Sequence, residues 1–365
     1  MNFGFRVDAS YEIGSGHIMR CLTVASSLIE LNHKCYFICR DHEGNLIEYI
    51  QERNIEVLAL PKIEDANFEF LNEYEKWLGI DQKNDALQTI EVFNKKKIKL
   101  DWMVIDHYGL SYIWENTIRT ISDNLLAIDD LANRHHDCDL ILDCGLINTV
   151  EKYRSLNTRE VMVLLGPEYA LLRPDFSRIR KITTSKRSQI NSPIKILMNL
   201  GGVDKNNLTG KILNILSNSN FPYQFKLTII MGVTAPWKDM VFKQADKSNL
   251  DIEILVNVSN MAQIMAEHDL AIGAAGSTSW ERCCVGLPTI MICTADNQKM
   301  IAQSLQEIGA TISLMQSDIE TKLSHVLEEI TIEKLFQMRS KSMQVCSGDG
   351  VNLLLEKILN MSNKK

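Results

Sequence analysis

The sequence predicts an α/β protein built from two doubly wound, Rossmann-like domains. Short apolar runs bounded by turn residues recur along both halves of the chain, and amphipathic helical patterns lie between them. Such runs are typical of parallel strands buried on both faces, and their alternation with helices favours doubly wound sheets. A basic, polar stretch separates the two arrays and predicts a linker at 176–192. We therefore expect an N-terminal domain over 1–175, a C-terminal domain over 193–349 and a final helix over 350–365.

The strand candidates follow one another at regular intervals. In the first half they are FGFRVDA, KCYFIC, EVLALP, WMVIDHY, NLLAIDD, LILDCG and VMVLLG, and in the second half IKILMNLGG, FKLTIIMG, IEILVNV, HDLAIGAAG, LPTIMIC and ATISLM. The first helix has an apolar stripe at three- and four-residue steps, made by Ile18, Cys21, Leu22, Ala25, Leu28 and Ile29. Ligands of open α/β sheets bind beyond the carboxyl ends of the strands. We therefore expect two domains that face each other across a cleft lined by the loops after strands.

Composition excludes several classes of protein. The chain has 365 residues, 45% of them hydrophobic and 23% charged, in ordinary globular proportions. Its net charge of −7 argues against a nucleic-acid partner. Arg6 and Asp8 interrupt any secretory signal, and the longest uncharged apolar run, 283–295, is shorter than a membrane helix. The nine cysteines lie mostly in apolar runs, as buried thiols do in a reducing compartment. We expect a cytoplasmic protein without a membrane partner.

A glycine-punctuated loop precedes the first predicted helix. Gly14 and Gly16 permit close backbone approach, and the helix start offers free N–H groups. His17 lies at this start, where the helix dipole disfavours the protonated ring, and a neutral imidazole is what a general base needs. Asp8 and Ser10 are near enough in sequence to orient it. The alternative is a histidine that merely caps or fills the loop.

The second half carries a phosphate-type loop, GAAGSTS, between a strand and a helix. Gly276 allows a tight turn, and Ser277 and Thr278 place hydroxyls beside free helix N–H groups, which suits a diphosphate. Glu281, one turn into the helix, could accept hydrogen bonds from a ribose diol. An ordinary capped helix start with a favourable first-turn acid is the alternative. The pair Gly201–Gly202, after another strand, would let a ligand or the facing domain approach closely.

Other motifs indicate different chemistries less well. His135 and His136 invite a zinc site, but adjacent ligands rarely reach one tetrahedral ion. Asp137 and Asp139 mimic the DxD of metal-dependent sugar-nucleotide enzymes, yet a strand follows them instead of preceding them. We expect loop hydrogen bonding and no metal. Met19 stands where a dinucleotide fingerprint needs a small residue, which disfavours a nicotinamide enzyme.

Two further strand ends carry polar side chains. Tyr108 follows the WMVID run and could reach the cleft or belong to a structural turn. Asp129 and Asp130 end the NLLAI run, which leaves a glycosidase with paired carboxylates open.

Several motifs together carry a resemblance to a known family. They are RVDASYEIGSGHIMRCLTVA, IDHYGLSYIWE, AIDDLANRHHDCDLIL, GPEYALLRPDF, LMNLGGVDKNN and AIGAAGSTSWERCCVGLPTI followed by NQ, and they span residues 6 to 298. On these motifs the chain resembles the UDP-2,4-diacetamido-2,4,6-trideoxy-β-L-altropyranose hydrolases of bacterial pseudaminic acid synthesis. The resemblance implies a GT-B architecture, similar to the peptidoglycan N-acetylglucosaminyltransferase. It also implies hydrolysis at the anomeric carbon of a UDP-sugar, with no cofactor.

The resemblance also implies roles for individual residues. The family's catalytic histidine corresponds to His17, and its tyrosine after a strand to Tyr108. Its asparagine before glutamine corresponds to Asn297, followed here by Gln298, and we expect both in the sugar site. The glutamate of its nucleotide-binding helix corresponds to Glu281. We expect His17 to deprotonate a water that attacks the anomeric carbon, so that UDP departs with inversion.

The chain departs from the family pattern at TADNQ, RHHDC and the segment 66–96, where members differ most. Two alternatives stay open. A GT-B glycosyltransferase would pass the sugar to an acceptor instead of water. A non-catalytic nucleotide-sugar-binding protein would bind UDP without turnover.

Overall fold

In a computed structural model of the protein, each half of the chain folds around its own parallel sheet. The structure describes residues 1–63, 73–186, 190, 192–233 and 235–363, without the side chains of 184–186 and 297. Contacts divide the chain into two units. Unit 1 contains Met1–Leu171 together with the C-terminal helix, and unit 2 contains Leu172–Gly348.

Unit 1 holds a seven-stranded, all-parallel sheet in the order β3-β2-β1-β4-β5-β6-β7. The strands are β1 (Asn2–Val7), β2 (Lys34–Arg40), β3 (Glu56–Leu60), β4 (Leu100–Asp106), β5 (Ser122–Ile128), β6 (Leu140–Asp143) and β7 (Met162–Leu165). The helices are α1 (Gly16–Glu30), α2 (Ile47–Gln51), α3 (Gln82–Lys96), α4 (Tyr112–Ile118) and α5 (Val150–Leu156), and 3-10 turns span Glu73–Leu78 and Pro167–Tyr169. The predicted stripe of α1 is buried except at Ile29, which is 41% exposed.

The strand order creates a switch point between β1 and β4. From β1 the chain passes through α1 to β2 on one side, whereas β4 pairs with the other side of β1. Helices that leave neighbouring strands on opposite sides open a crevice at their carboxyl ends. The first residues of α1 therefore lie where a doubly wound sheet places its ligand.

A buried ionic network ties the centre of this sheet to α3 and α4. Arg6 on β1 and Arg40 on β2 are completely buried and both donate to Asp85 of α3, at 2.8 and 2.7 Å for their Nη2 atoms. Trp114 of α4 donates to the same carboxylate at 2.9 Å. Arg6 also pairs with Asp8 at 2.7 Å. Each buried charge thus has an opposite charge within hydrogen-bond distance, which buried ions require.

Unit 2 holds a six-stranded, all-parallel sheet in the order β10-β9-β8-β11-β12-β13. It contains α6 (Pro174–Lys186), β8 (Ile194–Asn199), α7 (Leu208–Asn218), β9 (Phe225–Met231), α8 (Lys238–Asp246), β10 (Asp251–Val256), α9 (Met261–Glu267), β11 (Leu270–Ala274), α10 (Thr278–Cys284), β12 (Thr289–Cys293), α11 (Lys299–Ile308), β13 (Thr311–Met315), α12 (Ile319–Glu329) and α13 (Ile332–Val345). Here β8 and β11 flank the corresponding switch point, because β9 and β12 lie on opposite sides of them.

Part of the predicted linker, 176–192, is helical, and one of its basic residues contacts the ends of two other helices. Its first part lies in helix α6, in which Phe176 is completely buried. Arg180 donates to the carbonyl oxygens of Cys284, Met343 and Cys346 at 2.6 to 3.0 Å. These carbonyls end α10 and α13, where a cation is favourable. Part of the segment thus packs within unit 2 as a helix.

The C-terminal helix, α14 (Gly350–Ser362), packs on unit 1. Ser362 accepts a hydrogen bond from Trp102 Nε1 at 2.9 Å. Gly350 is required at the helix start, because a Cβ there would lie 2.3 Å from the carbonyl oxygen of Ala170. All nine cysteines are free and buried, as predicted. None of the helices in the described residues has the length and apolar character needed to span a membrane.

Candidate functional site

A histidine and an aspartate meet at the switch point of unit 1. His17 lies in the first turn of α1, and its Nδ1 atom is 2.6 Å from Oδ1 of Asp106, the last residue of β4. The His17 ring also packs edge-on against the Tyr108 ring, with centroids 4.9 Å apart and an interplanar angle of 84°. Residues 89 positions apart in sequence thus form one cluster.

Asp106 is held in its ionised form. The carboxylate is completely buried and accepts two hydrogen bonds from Arg20, at 2.6 and 2.5 Å. Burial alone would raise the pKa of Asp106, but Arg20 and His17 hold it well below its usual range. Nδ1 of His17 lies 2.6 Å from Asp106 and 3.2 Å from Nη2 of Arg20. Because an ionised carboxylate only accepts hydrogen bonds, the shorter contact places a proton on Nδ1, which donates it to Asp106. In the neutral ring Nε2 then holds the lone pair, and it has no hydrogen-bond partner among the described residues.

Asp106, and not Asp8 as expected, contacts the ring nitrogen of His17. Asp8 is completely buried, and its Oδ1 contacts Arg6 and the backbone N–H of Arg40, each at 2.7 Å. Asp8 comes directly after β1 and contacts β2 through Arg40. Asp106 ends β4, on the other side of β1, and contacts the histidine. Asp8 therefore anchors the loop from within the sheet.

The loop between β1 and α1 folds around Ser10 and Gly14. Ser10 Oγ accepts the N–H of Ile13 at 3.0 Å, and its carbonyl accepts the N–H of Gly14 at 2.9 Å. Gly14 has a φ of +78°, and no atom lies within 4 Å of where its Cβ would be. Gly16 is the first residue of α1. The bare backbone of Gly14 thus faces open space beside His17, as a ligand-approach role requires.

Tyr108 connects this cluster to a second carboxylate. Its hydroxyl donates to Oδ1 of Asp130 at 2.7 Å, and the residue is 5% exposed. Burial, reinforced by Asp130, holds the pKa of Tyr108 well above its usual value. The phenol therefore stays neutral and fixes Asp130, whose carboxylate is 37% exposed and 3.9 Å from Arg20. No local sequence pattern predicts this contact between residues 22 positions apart.

The neighbouring Asp129 has a different environment from Asp130. It is completely buried and accepts from Arg134 at 2.7 Å and from the N–H of Ala132 at 3.0 Å. Burial alone would raise the pKa of Asp129, but Arg134 and His136 hold it well below its usual range. Asp129 thus serves as an anchor for Arg134 and not as half of a glycosidase pair.

The histidine-rich cluster after β5 is an ion-pair network. His136 is buried with Nδ1 2.7 Å from Glu115 and Nε2 3.7 Å from Asp129. Burial alone would lower the pKa of His136, but these carboxylates raise it to about 9. Glu115, His136 and Cys138 place donor atoms within 4.8 Å of one another, yet an imidazolium does not ligate a metal. Burial also raises the pKa of the Cys138 thiol well above its usual value. The residues present therefore fit a protonated network better than a metal.

Asp137, Asp139 and His135 of the same motif also have polar partners. Arg119 donates to Asp137 at 2.5 Å and to Asp139 at 3.0 Å, so the DxD-like carboxylates form ion pairs. His135 is exposed, with Nδ1 3.2 Å from the carbonyl oxygen of Leu156.

In unit 2, three glycines expose backbone after β8 and β11. Gly201, Gly202 and Gly276 have no atom within 4 Å of where a Cβ would be, and Gly201 has a φ of +96°. Gly232, after β9, lies so close that its Cβ would be 2.0 Å from the carbonyl oxygen of Gly202. The loops after β8 and β9 thus pack tightly against each other, while space remains next to Gly201, Gly202 and Gly276. Exposed backbone of this kind can bind an anion.

The loop before α10 is shaped by an arginine that the sequence did not point to. Arg282 is buried and donates to the carbonyl of Ala274 at 2.7 Å and to Oγ1 of Thr278 at 3.2 Å. A Cβ at Gly273 would lie 2.6 Å from Nη1 of Arg282, so a larger residue there would displace the guanidinium. Ser277 is exposed beside this turn.

Glu281 and the Asn297–Gln298 pair occupy different settings. Burial, opposed by the guanidinium groups of Arg173 and Arg282, raises the pKa of Glu281 to about 7. Gln298 Oε1 accepts the N–H and the hydroxyl of Thr294 at 2.9 and 3.0 Å, which closes the turn after β12. The side chain of Asn297 lies outside the described residues.

Comparison with known proteins agrees with this architecture. Residues 200–354 match the model of the glycosyltransferase family 28 C-terminal domain. The chain is 26% identical to the UDP-2,4-diacetamido-2,4,6-trideoxy-beta-L-altropyranose hydrolase of Campylobacter jejuni, over 84% of this chain and 96% of that protein. It is 27% identical to the uncharacterized protein MJ1062 of Methanocaldococcus jannaschii over 80% of this chain, which spans only 55% of that longer protein.

The solved structures define the fold. The crystal structure of MurG from Acinetobacter baumannii superposes with a TM-score of 0.67 at 15% identity, covering 98% of this chain and 99% of MurG. The predicted fold class is therefore confirmed: two parallel-sheet α/β units of the GT-B glycosyltransferase type. The similarity to the altropyranose hydrolase is confirmed as well.

Proposed function

We propose that the protein hydrolyses a UDP-linked 2,4-diacetamido-2,4,6-trideoxyhexose, an altropyranose, at its anomeric carbon. The products are UDP and the free sugar, formed with inversion, as a step of pseudaminic acid biosynthesis. The observation that carries the proposal is the hydrogen bond from His17 to Asp106, which leaves Nε2 of the ring available as a base. The Campylobacter relative, named for this hydrolysis, supports the substrate.

The proposed chemistry needs one proton transfer in unit 1. Nε2 of His17 takes a proton from a water molecule while the water oxygen bonds to the anomeric carbon. The bond from that carbon to the diphosphate oxygen breaks, and its electron pair leaves with UDP. Asp106, kept ionised by Arg20, holds the ring and stabilises the imidazolium that forms. A positioned general base typically contributes about 10²–10⁴-fold to the rate.

Unit 2 is proposed to bind the nucleotide. The backbone at Gly276, Ser277 and Thr278 would bind the diphosphate, together with the open backbone of Gly201–Gly202. Glu281 would accept hydrogen bonds from the ribose hydroxyls. The proposal includes no cofactor and no metal, because UDP is already a good leaving group.

Product analysis tests the proposal directly. The purified protein is incubated with the UDP-linked diacetamido sugar and no acceptor, and the reaction is followed by proton NMR. We expect UDP and free sugar to appear together, with the first-formed anomer inverted relative to the substrate. Retention of configuration, or a substrate that stays intact, would contradict the proposal.

A glycosyltransferase is the second candidate, favoured by the match of residues 200–354 to a glycosyltransferase domain. It predicts that UDP is released only when an acceptor is present. A non-catalytic nucleotide-sugar-binding protein predicts UDP binding by calorimetry without turnover under either condition.

A further inference from the structure

We propose that a cavity in unit 1, next to His17, recognises the acylamino groups of the sugar and sets substrate specificity. The cavity has a volume of about 220 Å3 and is lined by Glu73, Tyr74, Tyr108, Asn133 and Arg134, which we call the acylamino subsite. The assignment deepens the proposed function and rests on it for the identity of the sugar.

Position is the first argument for the subsite. Tyr108 forms one wall of the cavity, and its ring lies 4.9 Å from the His17 ring. A pyranose held against the Tyr108 ring would therefore lie near the His17 ring. The volume also suits a single sugar ring better than a nucleotide.

The chemistry of the walls is the second argument. Tyr74, Trp77 and Tyr108 form a packed aromatic cluster, with the Tyr74 and Trp77 rings 5.3 and 5.9 Å from Tyr108. Such surfaces bury the methyl group of an acetamido substituent and the apolar face of a deoxy sugar. The carboxylate of Glu73 and the amide of Asn133 add groups that bind N–H and hydroxyl donors.

Arg134 supplies a fixed donor for amide carbonyls. Its Nε donates to the carbonyl of Leu110 and its Nη1 to Asp129, both at 2.7 Å. These two hydrogen bonds fix the orientation of the guanidinium group. No hydrogen bond of the described residues uses Nη2, while Arg134 lines the cavity. A held donor of this kind costs little further side-chain entropy when an acylamino oxygen binds.

The residues that line the cavity come from two separate segments of the chain. Glu73 and Tyr74 belong to the 3-10 turn Glu73–Leu78, inside the segment 66–96 whose function the sequence left undetermined. This turn packs directly on the loop after β4, because a Cβ at Gly109 would lie 2.6 Å from the carbonyl oxygen of Tyr74. One wall of the cavity, Tyr108, thus comes from the loop after β4, and Glu73 and Tyr74 come from the 3-10 turn packed on that loop.

The test uses three variants of the full-length protein. Tyr74→Ala removes a wall, Glu73→Gln changes one exposed polar group, and Tyr49→Ala on α2 is the matched control. We expect Tyr74→Ala to lower kcat/KM for the diacetamido substrate by about 10- to 100-fold, the range for losing part of a specificity pocket. Glu73→Gln should lower it several-fold. The Kd for UDP, measured by calorimetry, should be unchanged in all three. Wild-type kcat/KM in both Glu73→Gln and Tyr74→Ala would overturn the subsite.

A second measurement separates this inference from the proposed function. Saturation-transfer NMR with free N-acetylglucosamine as the probe reports binding of an acetamido methyl without any turnover. We expect saturation of that methyl in the wild type and in Tyr49→Ala, and its loss in Tyr74→Ala. If no UDP-sugar is hydrolysed but this pattern holds, the proposed function fails and the subsite stands. If hydrolysis occurs but the methyl signal is absent or equal in every variant, the subsite is wrong.

Discussion

Nδ1 of His17 lies 2.6 Å from Oδ1 of Asp106, and this contact joins the start of α1 to the end of β4. The pairing follows from the strand order, because β1 and β4 are neighbours whose following segments leave on opposite sides. It gives the ring one fixed tautomer and leaves Nε2 as the only acceptor of the neutral imidazole. The buried, ionised Asp106 and its partner Arg20 thus support the proposed role of His17 as a base.

Substitution of the histidine is the first prediction. His17→Asn removes the base, so kcat should fall by about 10²–10⁴-fold. The Kd for UDP should stay within about two-fold, because we propose that unit 2 binds the nucleotide. Kinetics and calorimetry on the purified variant check both values, with His325→Asn, whose side chain is 71% exposed, as the control. A variant that keeps wild-type kcat would show that His17 is not the base.

Substitution of the aspartate tests the orienting role separately. Asp106→Asn keeps the shape but replaces an oxygen by an N–H donor, which favours the wrong tautomer of His17. In a comparable histidine–aspartate pair this change lowers kcat by about 10⁴-fold, and we expect at least about 100-fold here. The surface variant Asp251→Asn, at a position 61% exposed, serves as the control. Near-normal kcat in Asp106→Asn would mean that the hydrogen bond does not matter for turnover.

The raised pKa of Glu281 predicts pH-dependent nucleoside binding. Because burial raises this pKa to about 7, the carboxyl becomes ionised, and a better acceptor, as the pH rises through that value. The ionised fraction grows from about 10% at a pH of about 6 to about 90% at about 8, so affinity should rise by up to ~10-fold. Calorimetry with uridine avoids the titrating phosphate of UDP. Glu281→Gln should bind weakly and show a flat profile, whereas an equal pH dependence in both proteins would rule out the ribose contact.

Chelation should leave the activity unchanged. The histidine-rich cluster holds a protonated His136 between carboxylates, and Arg119 occupies the DxD-like pair of Asp137 and Asp139. Neither group offers free ligands for a catalytic cation. The rate of UDP release should therefore be the same with and without EDTA. A loss of rate that an added divalent cation restores would return these residues to the site.

Much of the fold could be predicted because its signals are local. The apolar runs that form β1, β4 and β11 are continuous in sequence, as strands buried on both faces must be, and the stripe of α1 repeats at helical spacing. The glycines at 201, 202 and 276 follow apolar runs directly in the sequence, and this local pattern predicts loops with open backbone after strands. In the structure no atom lies within 4 Å of where their Cβ atoms would be.

The partners of the site residues could not be predicted in the same way. Asp8 is nine positions from His17 and Asp106 is 89, yet the sheet order brings the distant carboxylate to the ring. Strand order depends on long-range pairing, which no local pattern encodes. Arg180 likewise lies in a basic stretch that predicts a linker exposed to solvent. Its partners are carbonyl groups at the ends of α10 and α13, more than 100 residues away in sequence. Local composition does not distinguish a charge in water from a charge that caps a distant helix.

The last prediction concerns the stability of unit 1. Asp85 accepts hydrogen bonds from Arg6, Arg40 and Trp114 in the buried network behind the site. Asp85→Asn leaves two buried guanidinium groups with too little negative charge, which typically costs about 3–5 kcal/mol. The midpoint of urea unfolding should fall accordingly, whereas Asp251→Asn, which breaks an exposed pair, should cost no more than about 1 kcal/mol.

The pH dependence of that loss identifies its cause. Burial alone would raise the pKa of Asp85, but Arg6 and Arg40 lower it below its ordinary value. A lowered folded-state pKa contributes stability above the unfolded value of about 3.9, and that contribution disappears as the pH falls through the folded-state pKa. The difference between wild type and Asp85→Asn should thus be constant from about pH 5 to about pH 8 and shrink only in stronger acid. A difference that instead vanished near neutral pH would show that a group other than Asp85 controls the network.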